Sequence, residues 1–127
     1  MTRRALVVDD SRAMRSILTA IVEGLGYRVE QASDGRDGLA RVEVDTDFEL
    51  ALVDWNMPEM DGLEFVIAAR ARPELDGMRI VMVTTETEAD RVVEALDAGA
   101  DEYIMKPFDR DMLLAKLAMV GIEPPGA

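Results

Sequence analysis

Five short apolar runs punctuate the chain: Ala5-Leu6-Val7-Val8, Tyr27-Arg28-Val29-Glu30-Gln31-Ala32, Leu50-Ala51-Leu52-Val53, Ile80-Val81-Met82-Val83 and Tyr103-Ile104-Met105. The first, third and fourth are apolar at every position, the pattern of strands covered on both faces, whereas the second alternates as an edge strand does. Each run is followed by helical periodicity. After the first, Met14, Ile17, Leu18, Ile21, Val22 and Leu25 recur at steps that share one helix face, with Gly24 and Gly26 as stops. Leu39 and Val42 mark a second helix, and Leu63, Val66 and Ile67 a third. A fourth carries Ala89, Val92, Val93 and Leu96, and a fifth Met112, Leu113, Leu117 and Val120. Thr85 with Glu88 three residues later predicts a capping box opening the fourth helix, and Gly99 its end. Such strand–helix succession predicts an α/β fold: a doubly wound, five-stranded parallel sheet with helices on both faces, in three α/β/α layers. Residues 1–121 read as one domain and 122–127 as a C-terminal tail.

Composition narrows the chemistry. The 127 residues suit one domain with its own core. No apolar run approaches the ~18 residues of a membrane span. Acids follow the basic start too soon for a signal peptide, so a cytoplasmic location is expected. With 26 acids against 14 bases, the formal charge of −12 would repel nucleic-acid phosphates and anionic lipid, and neither is expected as a partner. The absence of cysteine excludes disulfides, thiolate nucleophiles and zinc–thiolate sites. The absence of histidine removes the commonest general base and the commonest transition-metal ligand. What remains is chemistry on carboxylates, hydroxyls, lysine and hard, oxygen-bound metal ions.

In an open parallel sheet, ligands collect beyond the carboxyl ends of the strands. The first run ends in Asp9-Asp10, the third in Asp54, the fourth in Thr84-Thr85 and the fifth in Lys106-Pro107. Any single acid there has a plain explanation, since Asp10 or Ser11 would cap the following helix. Three acids converging on one edge do not. Carboxylates a few ångströms apart repel by about 4 kcal/mol per pair at an effective dielectric near 20, so a cation is expected to answer them. Mg²⁺, which takes one or two carboxylates plus a phosphate oxygen, fits such a set, with Lys106 as a second positive charge. The combination suits phosphoryl transfer, which depends on positioning and charge neutralisation. Without histidine, cysteine or a serine at these strand ends, a carboxylate is the natural nucleophile.

Val7-Val8-Asp9-Asp10-Ser11, Leu52-Val53-Asp54-Trp55-Asn56-Met57-Pro58-Glu59-Met60-Asp61-Gly62, Met82-Val83-Thr84 and Tyr103-Ile104-Met105-Lys106-Pro107-Phe108 resemble, in order and spacing, the signature of response regulator receiver domains. The resemblance covers nearly the whole chain, and Trp55 and Asn56 match the free-standing chemotaxis type within that family. It implies a flavodoxin-like sheet of order 2-1-3-4-5. It implies that Asp54 accepts phosphate from a phosphohistidine of a histidine kinase, and that Mg²⁺ is held by Asp10, Asp54 and the Asn56 carbonyl, with Asp9 acting through water. Thr84, Thr85, Lys106 and Tyr103 would make up the phosphoryl-binding and switch set, with Lys106 and Thr84 each binding a phosphoryl oxygen. Tyr103 would turn inward and change the surface of the fourth helix, fifth strand and fifth helix, which a downstream protein such as a flagellar motor switch reads. Lys106-Pro107 is expected to be cis, and Asn56 and Glu86 to tune hydrolysis of the phosphoryl group, on which a phosphatase would also act. Trp55 is expected on the rim of the site, and the protein to act as a monomer. Thr85 departs from the small residue common at its position, and its bulk would narrow access.

Three rivals lose ground on residues. An aspartate-nucleophile, Mg²⁺-dependent phosphohydrolase needs a second aspartate two positions after the nucleophile, where this chain has Asn56. A receiver-like module that only binds partners has no need of the full set Asp9, Asp10, Asp54, Thr84 and Lys106. A nucleotide-binding domain would show a Gly-x-x-x-x-Gly-Lys loop after the first strand, and none is present. Among signalling outputs, a phosphorelay intermediate stays open beside the chemotaxis type. The expectation is a switch that catalyses only its own phosphotransfer and dephosphorylation.

Overall fold

The computed structural model describes residues 3–123. Strands β1 (Arg3–Val8), β2 (Tyr27–Ala32), β3 (Leu50–Asp54), β4 (Arg79–Thr84) and β5 (Glu102–Met105) alternate with helices α1 (Arg12–Glu23), α2 (Gly35–Val44), α3 (Gly62–Arg70), α4 (Val92–Ala98) and α5 (Arg110–Met119). The strands pair in parallel in the order β2-β1-β3-β4-β5. This is the expected doubly wound sheet, with the alternating strand β2 at an edge.

The fully apolar strands serve two cores at once, because successive side chains point to opposite faces. Leu6, Val8, Ala51, Val53, Ile80 and Met82 pack with α2, α3 and α4, around Val42, Phe65, Val66, Ala69 and Ala95. Ala5, Val7, Leu50, Leu52, Val81 and Val83 pack with α1 and α5, around Leu18, Val22, Leu113 and Leu117. A strand exposed on one face would have to alternate; these three cannot, which is why their sequence is unbroken.

The helices depart from the periodic reading in two ways. Ile17, Ile67, Val93 and Met112 were expected on buried stripes, yet they are exposed, while the neighbours Leu18, Val66, Val92 and Leu113 are buried. A helix resting on a sheet covers a narrower arc than its apolar residues span. The fourth helix also starts late. Residues Glu86–Arg91 form 3₁₀ turns, and α-helical geometry begins at Val92. Glu88 does reach back as predicted, its carboxylate accepting from the Thr85 hydroxyl and from Thr85 N–H. It is buried there, and what it caps is the tighter 3₁₀ segment.

At the other end of the chain Ile122, the first residue of the predicted tail, is buried among Leu113, Leu117 and Leu25. Residues 1–2 and 124–127, the latter the rest of that tail, lie outside the described residues.

Candidate functional site

β1 and β3 are neighbours, and Val8 pairs with Val53, so Asp9 and Asp54 emerge level with each other at the carboxyl edge. Asp9, Asp10 and Asp54 each present an oxygen within 4.8 Å of the others. Asp9 and Asp54 are buried, whereas Asp10 is exposed. Lys106, at the end of β5, places Nζ 3.2 Å from Asp54 Oδ1 and 3.6 Å from Asp9 Oδ2. One lysine therefore answers the two buried carboxylates of a cluster of three.

The electrostatic result is visible at Asp54. Burial, then the neighbouring Asp9 charge, pushes its carboxyl from 3.8 up to about 6, with Lys106 opposing and Asp10 adding a little. Backbone donors supply part of what the lysine does not. Trp55 N–H donates to Asp54 Oδ1 at 3.0 Å, and Ser11 N–H donates to Asp9 Oδ1 at 2.8 Å. Asp9 Oδ2 is buried and accepts no hydrogen bond among the described residues. Lys106, 3.6 Å away, gives that oxygen a charge but no hydrogen bond, and a buried carboxylate oxygen in that condition is costly unless a closer cation meets it. Three hard oxygen donors, one of them in that condition, fit Mg²⁺.

Local sequence explains how these groups are held. Ser11 is the N-cap of α1, accepting from Met14 N–H at 3.2 Å, and the same turn folds its own N–H onto Asp9. Behind Asp54, α3 begins almost in contact with the strand. A Cβ on Gly62 would lie 2.4 Å from the Asp54 carbonyl oxygen, so no other residue permits this approach. Asp61 and Glu64 close a capping box at that helix start, at 2.8 and 3.1 Å. Arg15, in the second turn of α1, donates to the Asp9 carbonyl at 2.7 Å and to Gln31 Oε1 at 3.2 Å.

The remaining predicted residues are arranged around this centre. Thr84 is fully buried, its hydroxyl bonded to the Ile104 carbonyl at a long 3.4 Å, and its own carbonyl accepts from Lys106 N–H at 2.7 Å. Lys106-Pro107 is cis. Asn56 is exposed on the loop that leaves β3, and Glu86 is exposed at the start of the 3₁₀ segment after β4. Tyr103 is half-buried, with Lys116 Nζ 4.2 Å from its ring centre and bonded to Glu102 at 3.3 Å. Two placements differ from expectation. The Thr85 hydroxyl is engaged by Glu88 instead of facing the acids. Trp55 is buried at 1% exposure with Arg91 over its ring, not set on the rim.

Arg15, the close approach at Gly62 and the burial of Glu88 were not expected from the sequence. Gly62 had a signal, a glycine directly after a helix-capping aspartate. The cue for Arg15 was fainter: a cation one turn before buried Leu18, on the helix that follows the paired acids.

Comparison with known proteins agrees with this geometry. The family model described as "Response regulator receiver domain" matches residues 5–118. The chemotaxis protein CheY1 of Helicobacter pylori is 40% identical over 118 residues, covering 92% of this chain and 95% of that protein. A chemotaxis protein CheY homolog of Campylobacter jejuni is 42% identical over 115 residues, covering 90% and 88% respectively. Among solved structures, the chemotaxis response regulator CheY4 of Vibrio cholerae superposes with a TM-score of 0.86 at 37% identity, covering 94% of this chain and 99% of that one. With the acid pair after β1, the aspartate at the end of β3 and the lysine after β5 in one pocket, and the family model spanning all of them, the chain belongs to the response regulator receiver domain family.

Proposed function

We propose that the chain is a phosphorylation switch of a two-component system in which Asp54 takes the phosphoryl group of a phosphohistidine on a histidine kinase. An Asp54 carboxylate oxygen attacks phosphorus, the new O–P bond forms as the P–N bond breaks, and the electron pair leaves with the imidazole. Oδ1 is already engaged by Trp55 N–H and Lys106, which leaves Oδ2 for the attack. Lys106 balances charge on the transferred group, and Thr84, held by one long hydrogen bond, is free to exchange it for a phosphoryl oxygen. Asp9, Asp10, Asp54 and the Asn56 carbonyl would hold Mg²⁺, which supplies positive charge against the equatorial oxygens.

What supports the reading most is one lysine between two buried carboxylates, with Asp9 Oδ2 left without a donor. Hydrolysis would return the switch to rest, with Asn56 and Glu86 bordering the phosphoryl group. The output surface would be α4, β5 and α5, reached through Thr84 and Tyr103. The relatives' names favour a chemotaxis-type target acting in the cytoplasm, and the fold unit, expected to end at residue 121, takes in the buried Ile122 as well. No helix among the described residues is long and apolar enough to cross a membrane.

Labelled acetyl phosphate with Mg²⁺ should modify the chain at residue 54, shown by borohydride reduction and peptide mapping. Asp54→Asn should take up no label, and EDTA should abolish labelling of the unmodified sequence. Label elsewhere, or none with Mg²⁺ present, would overturn the assignment.

A further inference from the structure

The two acids on β1's end are consecutive residues, so the peptide between them fixes how their side chains sit relative to each other. Its atoms from Cα of Asp9 to Cα of Asp10 lie in one plane, and whatever pins the carbonyl oxygen pins the plane. Asp9 is anchored on its other side, where its N–H donates to the Ala32 carbonyl at 3.1 Å. Its carbonyl lies beyond the last strand pair, and Arg15 takes it at 2.7 Å. The guanidinium is itself held by Gln31, at 3.2 Å. Mutual repulsion of three carboxylates within 4.8 Å would otherwise turn this peptide and swing exposed Asp10 away.

From this arrangement we infer that Arg15 is a positioning residue for the divalent cation: acting through the Asp9–Asp10 peptide, it keeps both carboxylates converged before the ion arrives. The inference rests on the Mg²⁺-dependent reading above. It makes a prediction opposite to simple electrostatics. Arg15 is a positive charge beside a cation site, so removing it should tighten Mg²⁺ binding if charge were its whole effect. Loss of positioning should weaken it instead, because groups that orient metal ligands typically contribute about tenfold or more in affinity.

The test is Mg²⁺ titration of the full chain followed by Trp55 fluorescence, with metal-free melting curves on the same samples. Arg15→Gln should weaken Mg²⁺ binding about tenfold. Arg15→Lys, which keeps the charge and one donor, should recover part of that loss, and Gln31→Ala should weaken binding about threefold. With acetyl phosphate, the Mg²⁺ concentration for half-maximal labelling should rise in Arg15→Gln while the rate at saturating Mg²⁺ stays unchanged. Equal or tighter Mg²⁺ binding in Arg15→Gln overturns the inference alone. If the unmodified chain shows neither a Mg²⁺ response nor labelling, the phosphorylation reading falls with it. Should Arg15→Gln fail to fold, unchanged Mg²⁺ affinity in Gln31→Ala would overturn the inference in its place.

Discussion

The two ends of the sheet treat charge in opposite ways. At the amino end of the strands, bases and acids meet as pairs. Arg3 bonds Glu49 at 3.4 Å, Arg4 joins Glu30 and Asp45 while lying over the Phe48 ring, and Arg70 reaches Asp101 at 3.0 Å. At the carboxyl end, Asp9, Asp10 and Asp54 crowd within 4.8 Å of one another, and Lys106 pairs with Asp9 and Asp54. The same strands supply both ends, so the difference lies in side chains and not in the backbone. Paired charge fastens helices and loops to the sheet. Unbalanced charge stabilises nothing by itself, and it is retained where something charged has to arrive.

The sharpest way to break the contrast is at the paired end. Arg70 donates to the carbonyls of Gly99, Leu75 and Met78 at 2.9, 2.8 and 2.7 Å, besides Asp101, which in turn accepts from Ile80 N–H at 2.8 Å. It ties the ends of α3 and α4 to the starts of β4 and β5. Arg70→Ala strands several acceptors, and water reaches some of them because the site is only partly covered. A loss of about 3 kcal/mol in denaturant unfolding is expected, with Mg²⁺ affinity unchanged. A drop in Mg²⁺ affinity would mean that the two ends are coupled.

The opposite sign is expected at the acid end. Asp54 binds its proton more tightly folded, near 6, than unfolded, near 3.8. Between those values protonation favours the folded state, so metal-free stability should rise as pH falls through 6 and gain nothing more from this group below about 4. At pH 7 the ionised carboxylate therefore destabilises the fold, and Asp54→Asn should raise metal-free stability by about 2 kcal/mol. The gain should shrink as pH falls toward 5. Parallel unfolding curves at pH 7 and pH 5 check both the sign and the window. A destabilised Asp54→Asn at pH 7 would contradict the crowding of the acids.

How much of this contrast could be read from residues alone differs between its two halves. The carboxyl end was legible because strand ends are easy to find when strands are unbroken apolar runs, and because Asp9, Asp10, Asp54 and Lys106 sit directly after them. The amino end was not. A guanidinium donating to carbonyls, as Arg70 does, leaves no periodic trace, since its partners lie in two separate connections, α3–β4 and α4–β5. Arg15 escaped notice for the same reason. The late start of α4 was hidden because Thr85 and Glu88 carry the spacing of a helix cap whether the turns that follow are α or 3₁₀. Ile17, Ile67, Val93 and Met112 were assigned to the core because periodicity reports an apolar face without reporting how much of it a sheet covers.

The smallest expected effect separates the two ends most cleanly. An ion that binds the folded chain and not the unfolded one stabilises by mass action, about 1.4 kcal/mol at ten times its dissociation constant. For a domain of this size that raises the melting temperature by about 4 °C. Arg70→Ala should keep the whole increment on a lower baseline, because the paired end takes no part in holding Mg²⁺. Asp54→Asn should begin from a higher baseline and lose most of the increment, because the substitution relieves repulsion and removes a ligand in one step. Destabilised but responsive, against stabilised but unresponsive, is a pairing that general loosening of the fold cannot produce. Melting curves of the three proteins with and without Mg²⁺ decide it. Equal increments in all three would place the ion away from the acids.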